Sequence, residues 1–268
     1  MNMYLMSMFR GIYRFFTNPN ERKLFLLSLF LCRKKRFERT TVNFSGYKLV
    51  VPDCLSFLWQ FKEIFVDEFY KFSSQSKSPL IIDCGANIGT SCLYFKKLYP
   101  DSKIVAFEPN PEIARILKEN LNLNKLDDIE VIDKAVWIND DGIDLGLEDA
   151  DASSIYKKNN IIKVDSVRLK NFIERCEHID MLKMDIEGAE TEVIKDCDDS
   201  LKKIDNIFIE YHSFINNEQE LDTILNILRK NNFRYFIKQG QDRPQPLVNH
   251  INKNFPYMDL QLNIFAYK

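Results

Sequence analysis

The chain has 268 residues, 45% hydrophobic and 28% charged, with a formal net charge of −2. That size and balance fit one large soluble α/β domain with a small extra lobe, and they argue against a nucleic-acid binder. Charge is unevenly spread, because residues 1–40 carry nine basic side chains against only Glu21 and Glu38.

Residues 1–39 read as two short helices that mix apolar and basic side chains. The apolar run Leu24–Cys32 is far shorter than the roughly 20 residues of a membrane span. Arg33-Lys34-Lys35-Arg36 follows it where a signal-peptide cleavage site would need small residues. Neither an exported nor a spanning segment is expected. Two readings of this front end stay open. One is a helical cap on the rest of the chain. The other is peripheral contact with an anionic membrane, at its inner face, through residues 1–39. The six cysteines include no Cys-x-x-Cys pair, which predicts reduced thiols and a cytoplasmic protein.

Thr40–Val51 predicts a β-hairpin around Ser45-Gly46. Phe57–Phe72 predicts a helix with aromatic residues at helical spacing, and Ser73–Pro79 a turn-rich linker. An N-terminal extension is therefore expected over 1–75 and the main domain over 76–268.

From Leu80 onward short apolar runs alternate with amphipathic helices. Strands are predicted at Leu80–Cys84, Ile104–Glu108, Ile129–Val136, Met181–Asp185, Ile207–His212, Arg234–Lys238 and Leu262–Tyr267. The alternation argues for βαβ units, hence a Rossmann-like, mostly parallel seven-stranded sheet with helices on both faces. Asn110 is a good N-cap, Pro111 suits the first helical position, and Ile113, Ile116, Leu117 and Leu121 form one apolar face. The polar stretch Gln239–Gln261 is long for a structureless loop and predicts a lid or binding loop.

Leu80–Phe95 reads as a buried strand, a tight glycine turn and a helix. Gly85 and Gly89 permit positive φ and a close approach of backbone to ligand. The next predicted strand ends in Glu108, placed to accept hydrogen bonds from ribose hydroxyls. A dinucleotide fingerprint would need glycine at Asn87, whose side chain would crowd a pyrophosphate. Asp83, inside the strand, suits the charged amino-acid end of S-adenosylmethionine. An NAD-dependent oxidoreductase or epimerase is disfavoured further by the want of a Tyr-x-x-x-Lys couple, since Tyr94 and Tyr156 are followed four residues later by Leu98 and Asn160.

These segments resemble the FkbM-type methyltransferases. The residues that carry the resemblance are IDCGANIGTS, AFEPNP (Ala106–Pro111), DKAVW (Asp133–Trp137), DASS (Asp151–Ser154), LKMDIEGAE (Leu182–Glu190) and IEYH (Ile209–His212). It runs from about Thr40 to Ser213. It implies a class I methyltransferase fold and an S-adenosylmethionine-dependent O-methyltransferase acting on a sugar, glycan or other small metabolite. It also implies that Asp83, Gly85 and Asn87 line the methionine end, that Glu108 holds the ribose, and that Asp133 and Ala135 lie beside the adenine. One departure is Lys170, after Leu169, where the family usually has Asp.

Two later strand ends carry unusual polarity. Lys183, Asp185 and Glu187 fall on one face if the strand reaches that far. A charge in an apolar strand is costly unless it is paired or used in chemistry, and a Lys183–Asp185 ion pair is the plain alternative. Glu187 and Glu190 read as acids favouring a helix N-terminus. Glu210 and His212 share a face of the following strand. His212 is a candidate proton acceptor for the hydroxyl being methylated, and Asp185 its companion. Asp185, Glu210 and His212 would also suit Mg²⁺, though no dedicated metal is expected. A non-catalytic adenosylmethionine-binding protein would keep the Gly85–Glu108 half and dispense with Asp185 and His212.

Overall fold

The computed structural model describes residues 10–147, 153–154, 161–240, 243–250 and 257–268. Asp151, Ala152, Tyr156, Asn160, the first nine residues and parts of the Gln239–Gln261 stretch lie outside these.

Two helices, α1 (Arg10–Thr17) and α2 (Pro19–Leu31), precede the hairpin of β1 (Thr40–Phe44) and β2 (Tyr47–Val51). Ser45 and Gly46 both take positive φ at its two-residue turn, 51° and 88°, as the twist of a tight hairpin requires. Helix α3 (Cys54–Phe61) starts at Asp53, whose side chain accepts from the Leu55 N–H. The helix predicted over Phe57–Phe72 is shorter than expected. It passes into a π-helical turn, Lys62–Val66, and stops where the Asp67 carboxylate is tied to Lys62 and Arg14 at 2.7 and 2.6 Å. Glu68 then adopts φ 53°, incompatible with continuing the helix.

The central sheet contains β3 (Leu80–Cys84), β4 (Lys103–Phe107), β5 (Ile129–Ile132), β11 (Ile179–Met184), β12 (Ile204–Phe214), β13 (Arg234–Gln239) and β14 (Met258–Tyr267). Their spatial order is β13-β14-β12-β11-β3-β4-β5. All neighbouring pairs are parallel except those made by β14, which runs antiparallel to β12 and β13. All six residues of β11 are buried, as expected of a strand covered on both faces. Alternate residues serve the two sides. Ile81, Ile104, Ala106 and Met181 join a core with α4 (Thr90–Leu98) and α5 (Pro111–Leu123), whereas Ile82, Val105, Phe107 and Leu182 join the core of α6 (Leu169–Arg175), α7 (Glu190–Cys197) and α8 (Leu221–Lys230). Asn110 caps α5 by accepting from the Glu112 and Ile113 N–H groups.

The front segment shares the first core. Phe44, Phe57, Phe61 and Phe65 stack edge and face, and Phe65 meets Tyr94 of α4. Buried Asn120 of α5 fastens the hairpin, accepting from the Val50 N–H at 2.7 Å and donating to the Val50 carbonyl at 3.0 Å. This anchorage places α3 against the carboxyl ends of the sheet strands.

The strand predicted over Ile129–Val136 is two. β5 ends at Ile132, the backbone turns at Asp133-Lys134, and β6 (Ala135–Trp137) pairs with β10 (Ser166–Arg168). A three-stranded sheet of β7 (Ile143–Leu147), β8 (Ser153–Ser154) and β9 (Ile161–Val164) was not foreseen. Among the described residues no helix is long and apolar enough to cross a membrane.

Candidate active site

Strand order reverses between β3 and β11, and in such sheets the crevice outside the carboxyl ends of those strands receives ligands. The chain builds that crevice from the glycine turn after β3. Gly85, Asn87 and Gly89 all have positive φ. A Cβ on Gly85 would stand 1.8 Å from the Asp185 carbonyl oxygen, so glycine is required for β3 and β11 to approach here. Asn tolerates the left-handed region, and Asn87 uses it to turn its N–H onto Glu108 Oε2 at 3.0 Å. Glu108 Oε1 accepts from the Asn110 N–H at 2.9 Å. Burial pushes the Glu108 carboxyl up to about 7, against the pull of those two N–H groups.

Lys183 lies beneath the turn. Its Nζ donates to the Gly85 carbonyl at 2.5 Å and stands 3.4 Å from Asp83 Oδ1 and 3.5 Å from Asp185 Oδ2. Burial alone would discharge this amine, but Asp83 and Asp185 outweigh it and keep the lysine pKa well above its usual value. Asp83 Oδ2 accepts from Ser91 Oγ at 2.5 Å. The Lys183–Asp185 ion pair is therefore present, within a larger arrangement that includes Asp83.

Above this floor opens a cavity of about 360 Å³. One end is apolar and lined by Ile113, Ala135, Val136, Ile143 and Leu145, beside Glu108. The other is polar and lined by Glu63, Asp185, Glu187, Glu210 and Gln261, with Trp59 and Tyr70 from the front segment. Gln261 Nε2 donates to the Glu210 carboxylate. Burial, reinforced by Asp185, pushes Glu63 up to about 7 and Glu210 well above the ordinary carboxylate range.

Of the residues given a cofactor-binding or catalytic role from sequence, Gly85, Asn87, Glu108, Ala135 and Asp185 line this cavity. Four do not. Asp83 is fully buried below the turn. Gly89 supports the turn, where a Cβ would meet Leu117 at 2.6 Å. Asp133, beyond the end of β5, is turned to Lys118 of α5 at 2.5 Å. His212 is buried behind the polar end, with Nδ1 at 3.1 Å from Glu190 Oε1 and Nε2 at 3.8 Å from Glu187 Oε2. Burial disfavours the imidazolium, but Glu190 and Glu187 outweigh it and raise the His212 pKa well above its usual value.

Neither Asp185 nor Glu187 is on the strand with Lys183. β11 ends at Met184, and Glu187 turns with φ 55°. Glu190 does more than favour its helix, since it accepts from the Ile186 and Gly188 N–H groups and meets the histidine. Asp185, Glu187 and His212 bring donor atoms within 4.8 Å of one another, a set with the chemistry to hold a divalent cation. Sequence reasoning missed Trp59, Glu63, Ile143 and Leu145, and reached Gln261 only as the end of a predicted lid or binding loop.

A family model for the FkbM methyltransferase domain matches residues 83–235, more than half of the chain. Methyltransferase sdnD of Sordaria araneosa is 31% identical over 177 residues, covering 52% of this chain and 68% of that protein. The 2-O-methyltransferase NoeI of Sinorhizobium fredii is 30% identical over 158 residues, covering 51% and 65%. A solved FkbM methyltransferase from Methylobacillus flagellatus aligns with a TM-score of 0.46 at 18% identity, covering 72% of this chain and 45% of that one. The match from Asp83 through the Lys183–Glu190 segment to the β12 end takes in residues of both halves of the crevice, and the chain belongs to the FkbM methyltransferase family.

Proposed function

We propose that the chain is a cytoplasmic S-adenosylmethionine-dependent O-methyltransferase acting on a hydroxyl of a sugar, glycan or other small metabolite. The observation that carries this reading is the cavity lined by apolar side chains beside Glu108 and by carboxylates beside Asp185. The first half fits the methyl donor. Each Glu108 oxygen accepts one backbone N–H, which leaves a lone-pair site on each for ribose hydroxyls. The slot between Ile113, Ala135, Val136, Ile143 and Leu145 suits a flat heterocycle. When bound, the donor supplies an electrophilic methyl carbon on a sulfonium.

What remains for the protein is alignment of the acceptor oxygen and removal of its proton. The Asp185 side chain is 25% exposed at the cavity wall, with the Lys183 ammonium behind it. His212 is buried away from the cavity lining, with Nδ1 on Glu190 and Glu187 near Nε2, which raise its pKa above the usual value. We therefore assign proton acceptance to Asp185 and give His212 a positioning role through the turn that carries Glu187 and Glu190. Trp59 and Gln261 flank the polar end, a flat apolar face and an amide suited to a polyhydroxylated ring. The likeness to a 2-O-methyltransferase supports a hydroxyl acceptor.

The test is incubation with isotopically labelled methyl donor and a panel of nucleotide sugars and lipid-linked glycans, read by mass spectrometry. The expected result is one labelled methyl on an acceptor oxygen. Tight donor binding with no acceptor methylated would favour a non-catalytic binding protein. Binding of NADH in place of the donor would overturn the reading.

A further inference from the structure

Helix α2 is apolar on two opposite faces, and one of them is uncovered. Leu24, Leu27 and Leu31 pack inward on the aromatic core. Phe25, Leu26, Leu29 and Phe30 point away from it and are 47–70% exposed. On α1, Tyr13 and Phe16 are exposed in the same way. Phe15 joins the two sets, making edge contacts with both Phe16 and Phe25 at 5.6 Å between ring centroids. Single exposed apolar side chains are ordinary. A contiguous patch of this many large ones marks an interaction surface.

The border of the patch identifies what it meets. α2 runs directly into Arg33-Lys34-Lys35-Arg36, all exposed. Arg36 is paired with Asp53, whereas Arg33, Lys34 and Lys35 make no ion pair among the described residues. Aromatic and leucine side chains beside uncompensated cations match the acyl boundary and headgroups of an anionic bilayer. Over the described residues the helices have 8 and 13 residues, too short to span the roughly 20-residue hydrocarbon core. They would lie on the surface.

We propose that α1, α2 and residues 33–35 dock this chain on anionic lipid bilayers. The docking element is fastened to the cavity wall. Asn20 Nδ2 donates to the Phe65 carbonyl at 2.6 Å, and Arg14 shares Asp67 with Lys62, one residue from the cavity-lining Glu63. Membrane binding through these helices thus fixes how the cavity mouth at Trp59 faces the bilayer, as a lipid-linked acceptor would require.

The experiment is cosedimentation of the full chain with vesicles of phosphatidylcholine alone or mixed with phosphatidylglycerol. The wild type is expected to pellet with the anionic vesicles and to be released by salt. Each basic residue near such a surface is worth about fivefold in partitioning, and the double variant Lys34→Glu, Lys35→Glu should lose at least about 25-fold. The double variant Phe25→Ser, Phe30→Ser should also lose binding, with circular dichroism and melting temperature unchanged because both residues are exposed. A wild-type chain that stays in the supernatant with anionic vesicles overturns the proposal, as does equal binding to neutral vesicles. A dimer in buffer that separates in the Phe25→Ser, Phe30→Ser variant gives the face to a second copy and overturns it too.

Discussion

Glu190 Oε1 lies 3.1 Å from His212 Nδ1, and both side chains are buried. The same carboxylate accepts from the Ile186 and Gly188 N–H groups. One acid thus ties the turn after β11 to the end of β12, two of the segments that line the polar half of the cavity. The histidine pKa is raised in the folded chain. Its contribution to stability is therefore present in full below the unfolded value of about 6.5 and is lost as pH rises through the folded one.

Glu190→Gln should accordingly lower the His212 pKa, followed by NMR of the imidazole protons. It should cost about 3 kcal/mol of stability, because it leaves a buried cation without its partner. The loss should be greatest below about pH 6.5 and shrink in alkaline solution, where the histidine is neutral in both proteins. An unchanged His212 titration would show that Glu190 acts on the turn alone.

Two glycines with similar backbones separate strain from close approach. Gly85 and Gly46 have φ of 82° and 88°, but a Cβ on Gly85 meets the Asp185 carbonyl, whereas one on Gly46 meets nothing within 4 Å. Gly46→Ala should cost only the left-handed penalty of about 1–2 kcal/mol. Gly85→Ala should cost clearly more and disrupt ligand binding, since β3 and β11 must part. Equal shifts in denaturant midpoint would show that the crevice floor is more yielding than this geometry indicates.

The difference between those glycines marks how far the sequence can be read. The helix at Asn110-Pro111 and the strand of Leu80–Cys84 were legible because their signals are local, a cap in one case and an unbroken apolar run in the other. The break at Asp133 was not, because a two-residue turn between apolar segments keeps the pattern of a single strand. Trp59, Glu63 and Gln261 reach the cavity only through the packing of α3 and the return of β14, pairings between distant segments. Glu190 looked like an ordinary acid at a helix start, and its partner His212 is 22 residues away.

Glu108 makes a double prediction. Its carboxyl is raised to about 7 in the folded chain, so between its ordinary value of about 4.5 and 7 the folded state holds a proton that the unfolded state releases. Stability should therefore fall as pH rises through that window, and Glu108→Ala should flatten this part of the profile. The same variant should lose most of the thermal shift given by S-adenosylmethionine, which at a concentration of ~100 Kd amounts to about 2.7 kcal/mol. A shift that survives Glu108→Ala would remove this residue from the ribose site.

On the proposed function, Asp185 and His212 have different roles, and their variants should show it. Asp185→Asn removes the carboxylate at the cavity wall with little change in size, and should lower turnover roughly 10²–10⁴-fold while the methyl donor still binds. His212→Ala acts through the Glu187–Glu190 turn. It should lower turnover less and raise KM for the acceptor. Because both act on one polar end, the double variant should be less than additive. Chelation separates proton transfer from metal binding at Asp185, Glu187 and His212. Activity that survives EDTA yet is lost in Asp185→Asn supports the carboxylate as proton acceptor. Activity lost in EDTA and restored by Mg²⁺ would make the three residues ligands, with the acceptor oriented by the ion.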